Sequence, residues 1–199
     1  MKKKILILAA LVICLSIAAA GTLAYYTAED NAHNVITSGG IDIEIVEKMK
    51  DADGGLVDFP EEGIHGVMPG MKVSKIVQVE NTGSADAWIR ICVESTIVDA
   101  EGEALPLTFG EDDTPVMSFT LLEGWVDGGD GYFYCEQSVA PQSMTDILFE
   151  TVDFHENMGN EYQNCTANVI IFAEAVQSAN NPIPEGGSVA DIAGWPITE

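Results

Sequence analysis

The residues of this chain that could do chemistry are few, and their spacing suits binding better than catalysis. The three histidines are His33, His65 and His155. A metalloprotease helix needs two histidines four residues apart, with a glutamate between them, so that both rings face one zinc ion. Residues 154–158, FHENM, supply one histidine and one glutamate but no second histidine. His155 is therefore expected at a strand end rather than on a metal. No GxSxG elbow, phosphate loop or GxGxxG turn occurs, so serine-hydrolase and nucleotide chemistry find no footing. With 32 acidic residues, chance pairs of carboxylates abound and do not mark a glycosidase. No catalytic set and no cofactor motif emerges, and the enzyme reading is disfavoured.

Acidic loops are a better lead. DADGG, with Asp51 and Asp53, and DGGDG, with Asp127 and Asp130, place carboxylates beside flexible glycines, as does the EDD run at 111–113. Calcium takes six to eight oxygens from loops of this kind, so these four aspartates are the calcium candidates. None of the loops follows the twelve-residue EF-hand pattern, and turn formation alone explains the same composition. Asn164-Cys165-Thr166 is formally a glycosylation sequon. It opens a stretch expected to be a buried strand, which argues against its use. Three cysteines, Cys92, Cys135 and Cys165, lie beyond the apolar N-terminal run that contains Cys14, and no CxxC occurs. One disulfide with one free thiol, or three buried thiols, are both open.

The elements that must position these groups are strands. In residues 40–47, Ile41, Ile43 and Ile45 alternate with Asp42 and Glu44, as in a half-buried strand. Residues 71–95 read as two strands around the turn-rich NTGSAD, with Ile89, Ile91 and Val93 alternating with Trp88, Arg90, Cys92 and Glu94. Further strands are expected in 116–122, 131–139 and 145–154, with 123–131 as a loop. The longest spans 165–177; both its faces are fairly apolar, which predicts a central position. About eight short strands with Gly and Pro turns imply an all-β, antiparallel two-sheet sandwich. The tail from 179 to 199 is expected to be irregular, with Trp195 pinning it to the sheets.

Ahead of the strands, Lys2–Lys4 precede an apolar run over 5–20 and a series of small residues, the pattern of a secretory signal helix. Cuts after Ala20 and after Ala24 both fit, the latter leaving Tyr25 as the new N-terminus. The alternative is an uncleaved membrane anchor, since no charge occurs between Lys4 and Glu29. The domain plan is thus a signal peptide at 1–24, an extension at 25–38, a sandwich at 39–178 and a tail at 179–199. Three of the eight basic residues fall in the signal. Its removal leaves five against 32 acids, a net charge of −27. Such a chain repels nucleic acid and anionic lipid.

The stretch GTLAYYTAED resembles signals cut by the SipW-type signal peptidase, through Gly21, Thr22, Ala24, Tyr25 and Tyr26. Downstream, SGGIDIEI, VMPGMKVSKIVQVENTGSADAWIRI and VIIFAEAVQSAN are similar to the TasA/CalY/camelysin group. The resemblance covers most of the chain, although 96–163 is generic. It implies a jelly-roll-like sandwich, secreted to the extracellular space or cell surface of a bacterium. It implies a SipW-type peptidase as processing partner, and the protein itself or other matrix proteins as assembly partners. TasA-like members build biofilm matrix fibres in which the N-terminal strand of one subunit completes the sheet of the next. By that analogy Tyr25, Tyr26, Val35 and Ile36 are the assembly-strand candidates. Camelysin-like members suggest the alternative of a surface metallopeptidase; a non-catalytic calcium- or protein-binding surface module is a third reading.

Overall fold

The structure, a computed structural model, describes residues 35–36, 40–60 and 68–196. The chain divides after residue 32, and all that follows concerns the second unit. The signal segment, the cut at Ala24 and Tyr25, and also Tyr26, His33 and His65 lie outside the described residues.

The described chain is all-β. Alternation of apolar and polar residues sets each strand's faces, because successive side chains point to opposite sides. The first sheet has five strands in the order β1 (Val35–Ile36), β14 (Thr166–Gln177), β6 (Ala87–Val98), β11 (Tyr132–Cys135) and β10 (Trp125–Asp127). Strands β14 and β6 pair antiparallel over twelve residues each, from Thr166 opposite Val98 to Gln177 opposite Ala87. The second sheet runs β12 (Ser143–Met144), β5 (Ile76–Asn81), β2 (Ile43–Lys50), β3 (Leu56–Asp58). A three-stranded sheet joins β4 (Lys72–Ser74), β13 (Thr151–Phe154) and β9 (Met117–Ser118); β7 (Thr108–Phe109) and β8 (Thr114–Pro115) form a small hairpin. All pairs are antiparallel except β1 with β14.

One core joins the sheets. Ile41, Ile43, Ile45, Val77 and Val79 from the second sheet pack in one cluster with Ile89, Ile91, Ile171, Ala173 and Ala175 from the first. Asp42 and Glu44 point to solvent, as the alternation requires. The NTGSAD turn does not make a hairpin, because β5 belongs to the second sheet and β6 to the first. Buried Asn81 holds this crossing: its amide donates to the carbonyls of Ala85 and Val139, and its oxygen accepts from Gly83 N–H. Gly83 has no room for a side chain there, since a Cβ would lie 2.7 Å from the Asp42 nitrogen.

Three expectations are corrected. The supposed loop 123–131 contains β10, which pairs with β11 because Trp125 is buried and needs a sheet to lie in. The strands expected in 116–122 and 145–154 shrink to Met117–Ser118 and Thr151–Phe154, since the flanking residues are tied by isolated loop hydrogen bonds, such as Leu122 N–H to the Leu148 carbonyl. Strand β14 is not central: among the described residues only the two-residue β1 lies outside it. Its outer face is partly apolar, and the C-terminal tail covers part of it.

Candidate functional site: an open strand edge and the clamp beside it

Strand edges carry unpaired N–H and C=O groups, and proteins usually keep them short. The outermost strands of the two larger sheets have two or three residues each: β1, β10, β12 and β3. Behind β1, however, stands the full length of β14. On its outer side, among the described residues, only Ala173 and Glu174 are paired, with Val35 and Ile36. On that outer side, residues 166–172 have no described strand beside them. Strand β2 has a similar stretch: among the described residues, β3 covers only its residues 48–50 on that side. These two long strands approach each other where the sheets meet.

Along this part of β14 the core-facing side is apolar, while the opposite side is polar at Thr166 and Asn168 and apolar at Ile170 and Phe172. Ala167, Val169 and Ile171 pack toward the core. Ile170 and Phe172 lie half-buried on the opposite face. Phe172 is in register with Cys92, which is in register with Tyr132. An extended segment laid along this edge would gain ladder hydrogen bonds and apolar contact on both faces.

Next to the edge sits a polar clamp. Glu174 projects to the outer face, where its Oε2 accepts from Arg90 Nε at 2.7 Å. Arg90 Nη1 donates to the Tyr134 hydroxyl at 3.3 Å and Nη2 to the Pro196 carbonyl at 2.8 Å. The guanidinium carbon lies 3.8 Å from the Tyr132 ring centre and 5.1 Å from that of Trp195. Burial opposes the charge on Arg90, but bonds to Tyr134 and Glu174 outweigh it and raise its pKa above the usual value. Burial and the Asp130 carboxylate push the Tyr134 phenol up. The clamp thus holds a permanently charged arginine under aromatic rings, a geometry suited to its planar, weakly hydrated head group.

The tail closes over this clamp. Val189, Ile192 and Trp195 are buried with Tyr134 and Val176 in a second apolar cluster, separate from the main core. Trp195 meets Tyr134 edge-on at 5.4 Å and donates its indole N–H to the Val189 carbonyl. Trp88 donates to the Asn181 carbonyl, and Ser188 with Asp191 forms a capping box. The expected pin, Trp195, is therefore present, on the outer face of the first sheet.

The four calcium candidates lie in two separate hairpin turns. Asp51 Oδ1 accepts from the N–H groups of Asp53 and Gly55 in the turn between β2 and β3. Asp127 Oδ1 accepts from Gly129 N–H between β10 and β11. Asp130 accepts from Tyr132 N–H and from the Tyr134 hydroxyl at 2.6 Å. Burial of the Asp130 carboxylate is outweighed by these two bonds, and its pKa is lowered. Each of these three carboxylates has an oxygen engaged in shaping its own turn. Among the described residues no group of three or more His, Cys, Asp or Glu side chains could hold a metal ion. His155 follows β13, accepts from Asn157 N–H through Nδ1 and meets Phe109 edge-on. Cys92, Cys135 and Cys165 are all free thiols, and burial raises the pKa of each. Asn164 and Thr166 are exposed, Asn164 in a left-handed turn at φ 62°, so the sequon is on the surface rather than in a buried strand.

Sequence reasoning missed the clamp. Its signal was a lone Arg in WIRIC and a lone Glu in IIFAEAV. A single charge within an apolar strand is seldom buried unless it has a partner.

The described residues thus form an all-β fold in which the outer side of β14 over 166–172 has no described strand beside it. No family model matches the chain, and no curated protein or solved structure matches it.

Proposed function

We propose that this protein is a secreted structural subunit, a TasA-like component of biofilm matrix or cell-surface fibres, whose jelly-roll-like sandwich is completed by a strand from a neighbouring copy. The observation that carries this reading is the stretch 166–172 of a twelve-residue strand, which has no described strand on its outer side and is apolar toward the core and at Ile170 and Phe172 on the other face. An edge this long invites a partner strand unless something blocks it. A head-to-tail contact of that kind does not close on itself and so propagates into a filament.

Register explains why the chain's own extension is a poor occupant. Val35 faces Ala173 and Ile36 faces Glu174, an offset of 138 (173 − 35). Continued toward the N-terminus, that register would set residues 28–34 against 166–172. Paired residues share a face, so Glu29, Asn31 and His33 would point with Ala167, Val169 and Ile171 toward the apolar core. Burying these groups without partners costs several kcal/mol, on the order of 2 or more each. A neighbour's segment is not tied to that offset, and can place Tyr25, Tyr26, Val35 and Ile36 where apolar contacts exist.

Charge sets a second condition. All five basic residues beyond the signal are paired: Lys48 with Asp58, Lys50 with Glu150, Lys72 with Asp153, Lys75 with Glu47 and Arg90 with Glu174. Copies therefore meet as strongly acidic bodies with no free cation among the described residues, and salt should favour assembly by screening their repulsion.

Deleting residues 25–38 tests the reading. The secreted chain should form fibres in electron micrographs, while the shortened chain stays folded and sediments as a monomer. Fibres from the shortened chain would overturn strand donation.

A further inference from the structure

We propose that the C-terminal tail is a strap that sets the acceptor edge of β14, so that lifting the tail loosens strand pairing at that edge. The proposal rests on the reading of β14 as an acceptor. Its own basis is one residue with two duties. The backbone of Glu174 lies in the ladder with Ile36. Its side chain, 6% exposed in the whole residue, is fixed by Arg90, and Arg90 holds the carbonyl of Pro196. A continuous chain of contacts therefore runs from the end of the tail to the pairing site: Pro196, Arg90, Glu174, Ile36. The Tyr132 hydroxyl, 3.5 Å from Glu174 Oε1, steadies the same carboxylate.

The strap is a built element. Its anchors, Val189, Ile192 and Trp195, form their own cluster with Tyr134 and Val176. Gly194 fits closely against Asn181: a Cβ there would lie 1.9 Å from Asn181 Oδ1, and the Asn181 amide already donates to the Gln177 carbonyl at the end of β14. Because this cluster is separate from the main core, the strap can lift while the sheets stay folded. Once it lifts, Arg90 loses its Pro196 acceptor and Trp195 cover, water reaches Glu174, and the strand at the edge is no longer held in one geometry.

Amide hydrogen exchange on the monomeric secreted chain tests this, comparing wild type with Trp195→Ala, Gly194→Leu and the control Ile183→Ser, whose side chain is exposed. The expected result is faster exchange, about tenfold or more, at 188–196 and also at 35–36 and 170–177 in the first two variants. Amides of β2 and β5 should stay protected, and the control should match wild type. Faster exchange confined to the tail would overturn the coupling, and an unchanged tail in both variants would overturn the strap. Because exchange is read on monomers, absence of fibres in wild type would count against the assembly reading alone.

Discussion

Two buried ion pairs hold this molecule, and they solve the same problem differently. Lys75, beside β5, reaches Glu47 of β2 at 2.6 Å and lies 4.0 Å from the Phe59 ring centre. Arg90 reaches Glu174 across the first sheet, and also Tyr134, Pro196 and three aromatic rings. Both cations are about 95% buried, but Glu47 keeps a side chain 23% exposed against 8% for Glu174. Desolvation wins at Lys75, whose pKa falls despite Glu47. At Arg90 the partners win and the pKa rises. A point charge on a flexible stem gathers few partners and can shed its proton; a planar fork gathers many and cannot. The first pair stitches a sheet, and the second ties the tail to the strand edge.

Removing each carboxylate sharpens the contrast. Glu174→Ala strands a charge that has no neutral form, so the loss should be the larger, about 3–5 kcal/mol, in chemical denaturation. Glu174→Gln should recover part of it, because the amide oxygen still accepts from Arg90. Glu47→Ala should cost nearer the low end, about 3 kcal/mol, since Lys75 keeps its ring contact and can deprotonate. Equal losses at pH 7, or a larger loss at Glu47, would break the comparison.

How much of this was legible in the sequence follows the same division. Alternation showed β2 and β6 with their faces, because one side of each packs on a core and the pattern survives single substitutions. The long strand was legible too, and Trp195 stood out as the one large aromatic in a polar tail. The edge position of β14 was not. An apolar strand with two covered faces looks central, and here the second cover is the tail rather than another sheet. Strand β10 was hidden because Trp125 and Val126 sit between glycines in a stretch with turn composition. The acidic loops showed composition but not geometry: the Asp51, Asp127 and Asp130 carboxylates accept from N–H groups of their own turns. The pairing of Arg90 with Glu174 needs strand register, which local pattern alone does not supply across 84 residues.

The smallest effect is also the most discriminating, because pH moves the two regions in opposite directions. For Lys75 the folded pKa lies below 10.5, so between those two values the unfolded chain binds the extra proton and stability rises with pH. For Tyr134 the folded pKa lies above 10.0, so its contribution is complete below pH 10.0 and is lost as pH climbs through the folded value. The raised cysteine thiols act in the same direction as Tyr134 from pH 9.0 upward. Wild type alone would therefore show a blurred sum, and differences between variants isolate each group. In thermal melts from pH 8 to 11, Lys75→Met should lose the rising component and fall more steeply than wild type, while Tyr134→Phe should fall less steeply. The Tyr134 effect should also appear first at the tail: protection of the amides at 188–196, taken relative to the base-catalysed intrinsic rate, should fall above pH 10 in wild type but not in Tyr134→Phe. A tail that loosens equally in both would detach the phenol from the clamp and leave the Arg90 bond to the Pro196 carbonyl and the packing of Val189, Ile192 and Trp195 as the hold on the tail.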